Sequence, residues 1–330
     1  MLAGSGAIGG MHFDNPAVAQ FVGIVSLNFI LFSGGLDTHW QSIKPILREG
    51  IALSTLSVLL TAISLGLFVW KVTGLTLYES LLLGSIVSST DTAAVFSILR
   101  SKSLALKGHL RSTLELESGS NDPMAYVLTI AFLSLVVHPD KNFLSIIHEF
   151  IQQMTLGLVC SLVFGLFSKW VINQIRLDFE GLYSVLVIAL MFTTFSATDF
   201  LGGNGFLAVY LCAMYLGNQE IIHKRTILRF YDGMAWLMQI VLFLTLGLLV
   251  FPSQIVPYVG IGLVISLFLI LVARPLGVLL SLSFFRMAFR KRMFIAWVGL
   301  RGAVPIVFAT YPLLAGIDKA NMLFNIVFFI

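Results

Sequence analysis

The 330-residue chain is predicted to be an all-α polytopic membrane protein, and composition, apolar run length and loop charge each point there. Hydrophobic residues make up 58% of it and charged residues only 11%, with a mean hydropathy of +0.96. Soluble domains carry about 25% charged residues, so a soluble class is excluded. Apolar runs of a length that spans a bilayer as helix occur near 17–36, 50–70, 78–99, 115–137, 150–174, 181–199, 202–217, 235–251, 256–283 and 293–314. An eleventh begins at about 320. The runs near 202–217 and 235–251 are the short ones, and the first holds Gly202, Gly203 and Gly205, which suit a tight turn and close helix approach. A Gly-rich opening and an end inside an apolar run are what a fragment truncated at both ends would show.

Basic residues order these runs. Lys44 and Arg48 follow the first; Arg100, Lys102, Lys107 and Arg111 the third; Lys169 and Arg176 the fifth. Lys224, Arg225 and Arg229 follow the seventh, and Arg286, Arg290, Lys291 and Arg292 the ninth. Cytoplasmic loops carry the excess of Lys and Arg, so the odd-numbered loops are predicted inside and Met1 outside. The net charge of +4 is then an orientation signal. It implies a lipid bilayer as partner and no nucleic acid. Cys160 and Cys212 sit in apolar segments, with neither a disulfide framework nor metal spacing. The six histidines form no cluster, so no metal site is expected.

Four polar interruptions break the apolar pattern. Ser88-Ser89-Thr90-Asp91-Thr92 lies near the middle of the third run. Short polar side chains compete with the helical ladder for local backbone groups, so an unwound stretch is expected; the alternative is an unbroken helix whose hydroxyls bond back to carbonyls while Asp91 pairs with a neighbour. In Glu117-Ser-Gly-Ser-Asn-Asp-Pro123 the spacing places Glu117, Ser118, Asn121 and Asp122 on one broad helix face. That face offers oxygen ligands to a hard monovalent cation, and Pro123 withholds the usual donor from a carbonyl one turn upstream. The alternative is a polar helix start with Glu115 and Glu117 as ordinary N-terminal acids. Gly299-Leu-Arg-Gly-Ala-Val-Pro305 interrupts the tenth run in the same way, and Arg301 there needs an anion, Glu117 or Asp91. Arg274, in Ala-Arg-Pro, either snorkels or lines the same route. Uncompensated, Asp91, Glu117, Asp122 and Arg301 would together cost about 10–14 kcal/mol in the membrane. Such residues face a protein-lined interior and mark an ion or proton path.

These motifs resemble the cation:proton antiporter-1 family, bacterial sodium or potassium/proton exchangers related to the animal sodium/proton exchangers. The resemblance rests on Thr90-Asp91, on Glu117-Ser118-x-x-Asn121-Asp122 and on Gly299-x-Arg301-Gly302, and extends through Gly205–Tyr210 and Ala273-Arg274-Pro275. It is nearest the potassium/proton branch, whose members add a cytoplasmic regulatory domain. The resemblance implies an inverted-repeat transporter with two unwound, crossing helices, exchanging K+ or Na+ for H+ by alternating access in a bacterial inner membrane. It implies that Asp122 binds cation and proton in competition, with Thr90, Ser118, Asn121 and Asp91 around it, and that Glu117 pairs with Arg301. It implies a homodimer with its interface on 17–36 and 181–251, a moving core bundle on 50–137 and 256–330, and a linking helix at 150–174. No cofactor and no metal is called for. Family members have an acid where this chain has Ser33; here the acid comes one helical turn later, at Asp37, which leaves that residue a route or packing role.

Two readings from other classes stand beside this one. A cation channel would need a filter, and no repeated filter-like loop is visible. An intramembrane aspartyl protease would use two aspartates, but neither Asp91 nor Asp122 follows a Gly-x-Gly. Cation flux that depends on an opposing proton gradient separates exchange from conduction, and peptide cleavage would betray the protease.

One titrating carboxylate carries either one proton or one monovalent cation, because Asn121, in the place of a second acid, cannot titrate. Exchange is therefore expected to be electroneutral. Vesicles clamped at zero and at a large negative potential, with ion gradients fixed, should show the same rate. A membrane potential is worth about 2.3 kcal/mol per charge per 100 mV, so movement of a second charge would be plain.

Overall fold

A computed structural model describes residue 10 and residues 13–91, 106 and 108–330. The described residues are helical throughout, with no strand, and seven helices are long and apolar enough to cross a membrane. Two compact units divide the chain: residues 24–45 with 143–241, and residues 1–23, 46–142 and 242–330.

The first of these units takes in α1 (Pro16–Asp37) from residue 24 on, α5 (Phe143–Gln174), α6 (Glu180–Phe200), α7 (Gly205–Gly217) and α8 (Lys224–Leu249) up to residue 241. Its core is aromatic and aliphatic, with Phe29, Phe32, Tyr183, Met191, Val209 and Tyr231 packed together. The expected turn at Gly202 is present, at φ +78°. A Cβ on Gly203 would meet the Leu156 side chain at 2.8 Å. Asn204 caps α7 by accepting from the Leu207 amide at 3.0 Å. The seventh run is therefore a 13-residue helix preceded by a turn rather than a full-length span.

The second unit holds α2 (Trp40–Thr73) from residue 46, α3 (Leu77–Ile86), α4 (Leu110–Val137), α9 (Pro252–Ser281), α10 (Phe289–Val298), α11 (Val304–Leu314) and α12 (Ala320–Phe329). A capping box starts α3: Thr76 accepts from the Glu79 amide while Glu79 accepts from the Thr76 amide at 2.7 Å. Where α2 and α3 touch, side chains are absent by necessity. A Cβ on Gly84 would lie 2.3 Å from the Ala62 carbonyl oxygen, and one on Gly66 would lie 2.8 Å from the Leu81 backbone. Both α2 and α9 contain a π-turn, at Leu53–Ser57 and Leu269–Ala273, of the kind that often marks functional sites.

Helices outrun the apolar runs at their polar ends. Lys224, Arg225 and Arg229 lie within α8, and Lys44 and Arg48 within α2, rather than in loops. Charged side chains end an apolar window long before they end a helix, since they are good helix formers in water. Within the third run, residues after Asp91 lie outside the described residues, as do Arg100, Lys102, Lys107 and the start of the chain.

Candidate functional site

Two helices of the second unit stop at depth. After Ile86 the chain leaves the α-helix, and Ser88–Asp91 runs without regular structure. Hydroxyls bond back along the end of the helix: Ser85 donates to the Leu81 carbonyl at 2.9 Å and Ser88 to the Ser85 carbonyl at 2.7 Å. Val298 ends α10, and Gly299–Ala303 forms the second unwound segment before Val304 and Pro305 open α11. The two segments join backbone to backbone, the Asp91 amide donating to the Leu300 carbonyl at 2.8 Å. Glycine is required at both ends of the Gly299-x-Arg301-Gly302 motif. A Cβ on Gly302 would lie 2.7 Å from the Asp91 carboxylate, and one on Gly299 would lie 2.5 Å from the Arg274 guanidinium.

The charges answer what the breaks leave unsatisfied. Arg301 Nη1 donates to the Ser88 carbonyl at 2.7 Å and also to the Ser89 carbonyl. These carbonyls belong to the unwound segment just past the negative end of α3, where a cation is favoured. Asp91 packs on Gly302, just before the first turn of α11, where an anion is favoured. Arg274, directly after the π-turn of α9, forms a buried ion pair with Glu117 on α4.

Between α4 and the first unwound segment lies a cluster of oxygens. Asp122, 8% exposed, accepts from the Ser89 hydroxyl at 2.6 Å. Asn121 Nδ2 donates to the Thr90 hydroxyl at 2.6 Å and to the Thr90 carbonyl at 3.2 Å, and Ser118 donates to that carbonyl at 3.2 Å. Because its amide nitrogen is committed to Thr90, Asn121 presents Oδ1 as a buried acceptor with no hydrogen-bond donor. Carboxylate, hydroxyl, amide and backbone oxygens together make a ligand set for a hard cation. Among the described residues no ion pair includes Asp122.

The structure thus gathers Thr90, Asp91, Glu117, Ser118, Asn121, Asp122, Arg274 and Arg301 in one unit. It corrects one pairing: the ion-pair partner of Glu117 is Arg274, and Arg301 serves backbone carbonyls instead. The reason is geometric, since the Arg301 guanidinium is taken up by the carbonyls of Ser88 and Ser89, whereas that of Arg274 reaches Glu117. Of the two readings open for Arg274, snorkelling is excluded by its burial at 2% exposure. Asp37 belongs to the other unit, at the exposed end of α1. Sequence reasoning left Ser89 unassigned. Its signal was its place beside Thr90 in a hydroxyl-rich break.

Comparison with known proteins gives four likenesses. The family model described as "sodium/hydrogen exchanger, transmembrane" matches residues 1–330. The chain is 42% identical over its whole length to the K(+)/H(+) antiporter NhaP of Alkalimonas amylolytica, of which it spans 57%. It is 40% identical, again over its whole length, to the K(+)/H(+) antiporter NhaP2 of Shewanella sp. (strain ANA-3), of which it spans 58%. The chain therefore covers little more than half the length of these relatives. Among solved structures, that of the sodium proton antiporter MjNhaP1 from Methanocaldococcus jannaschii at pH 8 superposes with a TM-score of 0.82 at 24% identity. The match covers 95% of this chain and 83% of that one, and at this identity it shows a shared fold.

The Glu117–Arg274 pair generates a prediction. Each single replacement by Ala strands a buried charge and should cost about 3–5 kcal/mol. The double replacement should cost less than the sum of the two, by about 0.5–3 kcal/mol. Thermal unfolding of the four proteins in one detergent measures this. Strictly additive losses would show that the pair is not coupled.

Proposed function

The chain belongs to the sodium/hydrogen exchanger family of membrane proteins, and from that premise we propose that it exchanges a monovalent cation, K+ or Na+, for H+. The reading makes it a multi-pass secondary transporter and not an enzyme. One observation carries it: Asp122 is a buried carboxylate in an oxygen cluster with no basic ion-pair partner among the described residues. Among those residues the nearby charges do not balance. Glu117, Asp91 and Asp122 bring three negative charges, and Arg274 and Arg301 two positive ones. Glu117 and Arg274 cancel, Arg301 and Asp91 serve opposite ends of the two breaks, and Asp122 is left over. An uncompensated charge at depth costs several kcal/mol. Either a proton or one monovalent cation removes that cost, and each excludes the other. If the site opens to one side at a time, competition for Asp122 becomes exchange.

Alternating access needs two bodies. The residues that hold the site, within 50–137 and 256–330, form the proposed moving core, and 17–36 with 181–251 form the proposed interface of a homodimer, linked through 150–174. The reading is supported by the chain's division into two compact units, one of which contains every site residue. Cysteines introduced on 181–251 of the intact protein should crosslink dimers without stopping exchange. Efficient trapping only through cysteines on 50–137 or 256–330 would contradict this division.

Asp122→Asn keeps the volume and still accepts from Ser89, yet cannot alternate between proton and cation. It should fold in the membrane and lose exchange by at least about 100-fold, the scale of removing an essential proton-transfer group. Cation-driven pH change in vesicles reads this out. Wild-type exchange by the variant would sink the assignment.

A further inference from the structure

We propose that Ser89 is a positioning residue for exchange, holding the Asp122 carboxylate in the ionised, cation-ready state. The proposal rests on the reading of Asp122 as the exchanging carboxylate and adds a residue to which that reading gave no part. The Ser89 hydroxyl lies 2.6 Å from Asp122 Oδ1, and both residues are buried. Ser89 is also pinned from behind, since its carbonyl accepts from Arg301. The next residue, Thr90, is held by Asn121 and Ser118. The hydroxyl is therefore aimed by the helix crossing itself. Its neighbour Ser88 shows the contrast, because that hydroxyl turns back to the Ser85 carbonyl at 2.7 Å and takes no part in the oxygen cluster.

A hydroxyl can donate to an ionised carboxylate, accept from a protonated one, and offer a lone pair to a cation. Each state of Asp122 can keep this contact. The charged groups around Asp122 divide the remaining work. From its own helix comes Glu117, committed to Arg274 of α9; from the second break comes Arg301, committed to carbonyls; from the first break comes Asp91, a like charge. Among the described residues, the Ser89 hydroxyl is the group seen donating to the Asp122 carboxylate, and a donor favours the charged form. Removing it favours the bound proton, so a higher pH is needed before a cation can enter. Hydrogen bonds to charged groups are worth about tenfold or more in an equilibrium constant.

The test reconstitutes the intact protein in vesicles containing a pH-sensitive dye and drives it with K+ or Na+ across a pH series. Ser89→Ala is expected to move the pH of half-maximal exchange up by about one unit. It should raise the apparent KM for the cation about tenfold at a fixed pH and leave the maximal rate within about twofold. Ser89→Thr, which restores the hydroxyl, should return both values to the wild type. Should the Ala variant fail to fold, Ser89→Cys replaces the hydroxyl by a weak donor at similar volume, and an intermediate shift is expected. A wild-type pH profile in the Ala or Cys variant overturns the proposal, as does a shift that Thr does not reverse. Absence of cation/proton exchange in the wild type would instead overturn the reading of the protein as an antiporter.

Discussion

A helix interrupted in a membrane leaves carbonyls and amides that no water can satisfy, and everything in this site follows from how two such interruptions satisfy each other. The Asp91 amide reaches the Leu300 carbonyl, and the Arg301 guanidinium reaches the carbonyls of Ser88 and Ser89. Irregular backbone at depth survives only when buried or lining a cavity. Here the first segment is buried at Ser88, Ser89 and Thr90 and is bonded to its counterpart. The crossing fixes Thr90 and Ser89 beside α4, and so decides where Asp122 finds its oxygens.

Burying charge to hold this arrangement brings its own demand. Arg301 is needed at the end of α3, so it is not available to neutralise Glu117, and Arg274 fills that place from α9. Buried ion pairs are often no more stabilising than a well-packed apolar pair. What the ion pair adds is a fixed charge balance that, among the described residues, leaves Asp122 open. The glycines at 299 and 302 belong to the same logic, because each lets a charged side chain lie directly on the backbone.

Most of the fold was legible because the bilayer is a strict solvent. Apolar run length and alternating loop charge located the helices, and the two breaks were visible as polar stretches where polarity is expensive. Helix ends were less legible: Lys224, Arg225 and Arg229 look like loop residues by hydropathy but begin α8. The shared helix face of Glu117, Ser118, Asn121 and Asp122 followed from spacing. The partner of Glu117 did not, since sequence shows that a buried arginine needs an anion but not which of two arginines is nearer. Ser89 was hidden for a related reason. In a run of hydroxyls, only the backbone path decides which one points at the carboxylate.

The central claim is that one carboxylate, Asp122, holds either a proton or a cation and never both. It is tested most directly by counting protons during cation binding to the purified, intact protein. Calorimetric titration with K+ and with Na+, repeated in buffers of different ionisation enthalpy at a pH where the site is protonated, gives that count. The account predicts about one proton released for each cation bound, with apparent affinity falling about tenfold per unit as pH drops further. Cation binding with no proton release and no dependence on pH would contradict it.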